Sequence, residues 1–174
     1  MMNAKILNPF LEAANEVLAA EAQVQVTRGS LTLQKSAMTT DDVTVLLSMV
    51  GRVQGVVLYS LSTQTGLALA AAMMGQAFDA FDSLAQSGIA ELGNVITGRA
   101  SIKLAEAGFQ TDISPPTLIQ GKAVIISTLD FPRLVVPLTT PLGDLTVHLA
   151  LREQVGELAE PFVRLALKTT PMEG

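Results

Sequence analysis

Residues 83–108 read SLAQSGIAELGNVITGRASIKLAEAG. Ser83 and Gln86 stand three apart as in a capping box, and Gly108 is a helix stop, so the segment predicts one long helix from Ser83 to about Ala107. At about 100° per residue with Ser87 taken as zero, Glu91 falls at about 40°, Asn94 at about 340° and Gly98 at about 20°. Ala85, Ile89, Leu92, Ile96 and Ala100 fall on the opposite side and face the core. Glu91 and Asn94 are then about 4.5 Å apart along the axis, one turn from Ser87, in a stripe open to water or a partner. Glycines 88, 93 and 98 each cost the helix about 1 kcal/mol relative to alanine. Close approach by another molecule is the best reason for Gly98; Gly88 and Gly93, on other faces, point to packing against the sheet or other helices.

Upstream, Asn8-Pro9 reads as an N-cap with proline at the first helical position, predicting a first helix from about Pro9 to Ala22 on Leu11, Ala14, Leu18 and Ala22, with an extension back toward Ala4 as the alternative. Leu31 and Leu33 alternate with Thr32 and Gln34 as a short strand. Val43–Val50 and Val53–Leu61 are β-branched runs joined at Gly51-Arg52 as a hairpin. Ser62–Gly75 reads as a helix of small residues containing Met73 and Met74 as core. Downstream, Gln110–Pro116 is a proline-stopped connection, followed by strands at Ala123–Leu129, Leu134–Thr140 and Leu145–Leu151, the last two a hairpin through Pro141-Leu142-Gly143. The chain thus reads as a pseudo-repeat, helix plus three strands twice, with a helix inserted between the halves. An offset of 79 residues lays Glu12 and Asn15 on Glu91 and Asn94. The expected architecture is an α/β sandwich with helices facing a sheet.

Composition narrows the chemistry. The chain has 174 residues, 49% hydrophobic and 16% charged, which suits one globular unit. Absence of cysteine excludes disulfides, thiol nucleophiles and thiolate metal sites. The single histidine, His148, lies in a predicted strand, reads as structural, and argues against imidazole metal sites and a Ser-His-Asp triad. Sixteen acidic against eleven scattered basic residues, with no tryptophan and one tyrosine, make nucleic acid a poor partner. The longest apolar run, Leu67 to Met74, is far short of the roughly 20 residues of a membrane span. No signal-peptide pattern precedes Asn8, so a cytoplasmic location is expected. Gly51–Gly55 lacks a Walker lysine, so no nucleotide site is expected.

The order Ser87-xxx-Glu91-xx-Asn94, followed by Asp112-Ile113-Ser114-Pro115-Pro116, resembles the signature of the CheC, CheX and FliY phosphatases of bacterial chemotaxis. The start Asn8-Pro9-Phe10-Leu11-Glu12-Ala13 is similar as well, and the likeness covers most of residues 1–152. The resemblance implies a CheC-like α/β sandwich over 1–152; residues 153–174 lie outside it and, on their own spacing, read as a helical C-terminal extension packed on the domain or at an interface. Within that extension Val155, Leu158, Phe162 and Leu165 have helical spacing, interrupted by Pro161.

The activity implied is hydrolysis of the aspartyl phosphate of a CheY-like response regulator. The Mg2+ would belong to that receiver, and this chain would carry no metal or cofactor of its own. By the same resemblance Asn94 positions the attacking water, Glu91 engages the receiver's lysine, Ser87 is a rim contact, and Pro116 shapes the pocket beside the helix; Gly98 joins the binding residues on its place in the stripe. A homodimer is also implied. One complete motif is present, as in CheX, whereas CheC and FliY carry two. Asn8-xxx-Glu12-xx-Asn15 has the spacing for a second site at Glu12 and Asn15, but an asparagine at its first position. The competing readings are a non-catalytic receiver-binding adaptor of the same fold, and a structural dimerisation domain.

Overall fold

The computed structural model describes residues 3–35, 37–128 and 131–156. The first half runs α1 (Ala4–Ala22), β1 (Thr27–Arg28), β2 (Thr32–Gln34), β3 (Met38–Thr39), β4 (Val43–Gly51) and β5 (Val53–Leu61). After α2 (Thr63–Met74) the second half repeats that order as α3 (Ser83–Glu106), β6 (Thr111–Ile113), β7 (Thr117–Gln120), β8 (Ile125–Ile126), β9 (Arg133–Thr140) and β10 (Gly143–Glu153).

Eight strands form one antiparallel sheet in the order β1-β9-β10-β5-β4-β6, with β2 also on β9 and β7 also on β4. The two hairpins meet at its centre, where β10 pairs with β5 from Leu145↔Leu61 to Glu153↔Val53. Each half's short strands lie on the other half's outer long strand, β1 and β2 on β9, β6 and β7 on β4. Likewise β3 of one half pairs with β8 of the other as a separate two-stranded sheet. The expected repeat is therefore present, but interleaved, with five strands per half rather than three. Segments of two to four residues are too short to show a period in sequence, which is why most of them were not anticipated.

One face of the sheet carries the core. Val43, Val45, Leu47 and Met49 of β4, Val57, Tyr59 and Leu61 of β5, and Val147 and Leu149 of β10 share one buried cluster with all three helices. Phe10, Ala14 and Val17 come from α1, Leu69 from α2, and Ile89, Leu92, Ile96 and Ala100 from α3. The period-2 alternation of the strands and the 3.6 period of the helices thus meet in a single layer. On the opposite face His148 is buried, its Nδ1 accepting from Arg133 Nε at 3.2 Å, while Arg133 donates to Gln34 Oε1 at 2.7 Å. Burial, and then the neighbouring guanidinium, push His148 down to about 4.

Several expected boundaries differ. The first helix is capped by Asn3, whose side chain accepts from Lys5 N at 3.0 Å, so Pro9 sits inside the helix and Asn8 is not its cap. In the second turn Pro9 forgoes the bond to the carbonyl of exposed Lys5 and crowds it with its ring, and burial of Ile6 still extends the helix backwards past it. On α3 the cap is Asp82, accepting from Ala85 N at 2.9 Å, one residue before the expected Ser83. Gln86 donates instead to the Phe81 carbonyl at 3.0 Å. Of the strand expected at Ala123–Leu129, only Ile125–Ile126 is extended and paired, and Leu129 lies outside the described residues. The tail pattern of Leu158, Phe162 and Leu165 also falls outside them. Among the described residues no helix is long and apolar enough to cross a membrane.

Candidate functional site

Two glycines set how α3 lies in the molecule. A Cβ on Gly93 would stand 2.9 Å from Val45 Cγ1 and 3.2 Å from Tyr59 Cδ2, so glycine lets the helix approach the sheet closely. A Cβ on Gly88 would meet the Met74 methyl of α2. Both glycines are explained by internal packing, as their helix faces suggested. Thr97 fixes the rotation: its hydroxyl lies 2.8 Å from the buried Tyr59 hydroxyl and also bonds to the Gly93 carbonyl at 2.8 Å.

With that face held down, the opposite one points out. Ser87 and Glu91 are exposed and Asn94 is half-buried. Asn94 Nδ2 lies 3.5 Å from Glu91 Oε2, a long contact that brings amide and carboxylate together without engaging either strongly. Ser87 Oγ donates to the Ser83 carbonyl at 2.8 Å, a bond within the helix that turns its hydroxyl along the axis. Gly98 continues the stripe, and a Cβ there would find only Ile113 Cδ1 at 3.8 Å, ordinary contact distance. Nothing inside the described molecule requires glycine at 98.

The stripe is flanked by β6 and β7, which the sequence did not reveal as strands. Met49 pairs with Ile113 and Leu46 with Thr117, so three steps along β4 face four along the other strand. The extra residue is a bulge at Pro115-Pro116, where prolines fit because they have no N–H to offer a ladder. Ser114 closes the bulge, its N–H donating to the Ser48 carbonyl at 2.9 Å and its hydroxyl accepting from Ser48 N at 2.8 Å. Pro116 is thus held, half-buried, on the strand pair beside α3. Gln86 Nε2, 3.3 Å from Gln120 Oε1, ties the start of α3 to β7. The β-branched residues Thr111, Ile113, Thr117 and Ile119 were the local signal for these strands, masked by the paired prolines.

The second candidate pair is placed differently. Glu12 and Asn15 are exposed on α1, whereas Glu91 and Asn94 lie on α3. Lys103 of α3 sits 3.2 Å from Glu12 and 2.7 Å from Glu16, and Arg99 lies 3.4 Å from Glu16. Glu16, then Glu12, hold the Lys103 ammonium above its usual range, and Lys103 in turn lowers Glu16. Glu12 therefore already has a cation, whereas among the described residues Glu91 is in hydrogen-bond reach of Asn94 alone. The i, i+4 spacing of Glu12/Glu16 and of Arg99/Lys103 is visible in the sequence, but that the two pairs face each other is set by the packing of α1 on α3.

A neutral carboxamide can accept from and donate to a water without repelling phosphoryl oxygens, and an unpaired exposed carboxylate can take a cation from another molecule.

Residues 43–139, more than half of the chain and including all of α3, match the family described as chemotaxis phosphatase CheX. The CheY-P phosphatase CheX of Thermotoga maritima is 29% identical over 128 residues, covering 73% of this chain and 83% of that relative. A CheC-like superfamily protein from Shewanella sp. PV-4 superposes with a TM-score of 0.79 at 25% identity, over 87% of this chain and 99% of that one. A chain of the solved CheX–CheY–BeF3–Mg2+ complex from Borrelia burgdorferi superposes with a TM-score of 0.72 at 29% identity, over 84% of this chain and 97% of that one.

Proposed function

This chain belongs to the CheX family of chemotaxis phosphatases, and we propose that it accelerates hydrolysis of the aspartyl phosphate of a CheY-like response regulator. The observation that carries the assignment of roles is the pairing of Glu91 and Asn94 on the one face of α3 that internal packing leaves free.

In this reading α3 enters the phosphorylated pocket of the receiver side-on. Asn94 holds a water in line with the phosphorus, so the step is catalysed by positioning rather than by an acid or base. Glu91 takes a cationic side chain of the receiver, which orients the partner and keeps the carboxylate from repelling the phosphoryl group. Ser87 and Gly98 border the contact, Gly98 by letting the partner's backbone come close, and Pro116 holds the wall of β6 and β7. The Mg2+ belongs to the receiver, and this chain supplies no cofactor. Glu12, held by Lys103, is not free to act in the same way, so one active face per chain is the favoured arrangement. The reading places the protein in the cytoplasm with its receiver, and as a homodimer.

The experiment is to charge a CheY-like receiver with a small phosphodonor, remove the donor, and follow phosphate release with and without the chain. Acceleration at substoichiometric amounts supports catalysis. Capture of the phosphorylated receiver with no acceleration replaces it with the adaptor reading, and indifference to the receiver leaves a structural domain.

A further inference from the structure

The stripe of α3 does not stop at Gly98. Ser101, Ile102 and Ala105 continue on the same side of the helix, and Ile102 is 59% exposed. Beside it Val50, at the end of β4, is 61% exposed. Between them lies a groove of about 460 Å3 lined by Val50, Ser101, Ile102, Ala105, Thr111 and Asp112 among others. Two large aliphatic side chains left in water across one groove are unlike the isolated exposed residues common on any surface.

We infer that this groove, flanked by Val50 and Ile102, is a docking subsite for the same receiver, separate from the chemistry. The inference rests on the functional reading above. Its ground is continuity: Ile102 is eight residues from Asn94, about 12 Å along the axis at 1.5 Å per residue. A partner burying about 800 Å2 of this surface around Asn94 would reach roughly 16 Å in each direction and cover the groove. The occupant is an aliphatic side chain of the receiver near its phosphorylation pocket, with a basic group beside it to meet Asp112, which is exposed at the rim. Glu91 at one end of the stripe and the Val50–Ile102 groove at the other hold the receiver at two points, and Asn94 works between them. The groove then contributes to binding and leaves the reaction step untouched.

The test uses the full chain and its Val50→Ser/Ile102→Ser double variant, with Ile102→Leu as a conservative control. Affinity is measured for a receiver bearing beryllium trifluoride and Mg2+, and turnover for the phosphorylated receiver. The expected result is a Kd and KM about tenfold higher in the double variant, kcat within twofold of the parent, and parent behaviour restored in Ile102→Leu. A double variant equal to the parent in Kd overturns the inference, as does a fall in kcat at constant KM. An unchanged receiver Kd with loss of self-association in sedimentation assigns the groove to a second copy of the chain instead and also overturns it. A parent chain that neither binds nor dephosphorylates the receiver overturns the functional reading, and the inference with it.

Discussion

Replacing Asn94 with alanine separates fold from chemistry. The side chain is half-buried on the outer face of α3, and its hydrogen bond to Glu91 spans 3.5 Å in an exposed setting. Losing so long a bond costs at most about 0.5 kcal/mol, and alanine in a helix interior returns roughly as much through propensity. The melting curve of Asn94→Ala should therefore overlay that of the parent. Glu91 and the rest of the stripe still meet the receiver, so the Kd for the phosphorylated partner should stay within about threefold. The rate should not survive: a positioned water is lost to bulk solvent, and about 10²-fold, or about 2.7 kcal/mol, is the expected penalty. The assay is single-turnover phosphate release from a charged receiver with the chain in excess, corrected for the receiver's own hydrolysis. Asn94→Asp should do no better than alanine, because a carboxylate there repels the phosphoryl oxygens. A parent-like rate in Asn94→Ala at saturation refutes water positioning, and a parent-like rate in Asn94→Asp replaces it with general-base chemistry.

The glycines of α3 make opposite predictions. Gly98→Ala should raise stability by about 0.5–1 kcal/mol, since the new methyl meets only Ile113 Cδ1 at 3.8 Å, while weakening the receiver interaction; parent affinity would remove Gly98 from the contact. Gly93→Ala, pressed to 2.9 Å from Val45 Cγ1, should lose about 1–2 kcal/mol in urea unfolding despite its better helix propensity, and a stabilised variant would contradict the close helix–sheet packing. Glu91→Gln should raise KM severalfold with a smaller effect on kcat, and an unchanged KM would deny the carboxylate its cation. His148, held near 4 by burial and by Arg133, is neutral in the folded protein above that pH, whereas the unfolded chain takes up its proton near 6.5. The unfolded state thus binds more protons between the two values, so stability should fall by about 2 kcal/mol from pH 7.5 to 5, above most carboxylate titration. A flat unfolding midpoint over that range would show that the imidazole is not desolvated.

Periodicity alone determined a good deal of this protein. The apolar rows of the long segments specified which side of α3 faces inward and hence that Ser87, Glu91, Asn94 and Gly98 share the outer one, because side-chain direction in a helix follows from spacing. The same logic located both hairpins and both packing glycines. Tertiary structure alone decided the interleaving of the halves, since pairing β2 with β9 or β7 with β4 joins residues about a hundred and about seventy positions apart, and no local pattern names a strand's partner. It alone moved the starts of α1 and α3, where Asn3 and Asp82 took the caps that local residue preference assigned to Asn8 and Ser83. It also decided which acidic side chain is free. Glu12 and Glu91 stand in the same motif spacing, and only the packing of α1 against α3 brings Lys103 to one and leaves the other open to a partner, because a charge is neutralised by what lies near it in space and not along the chain.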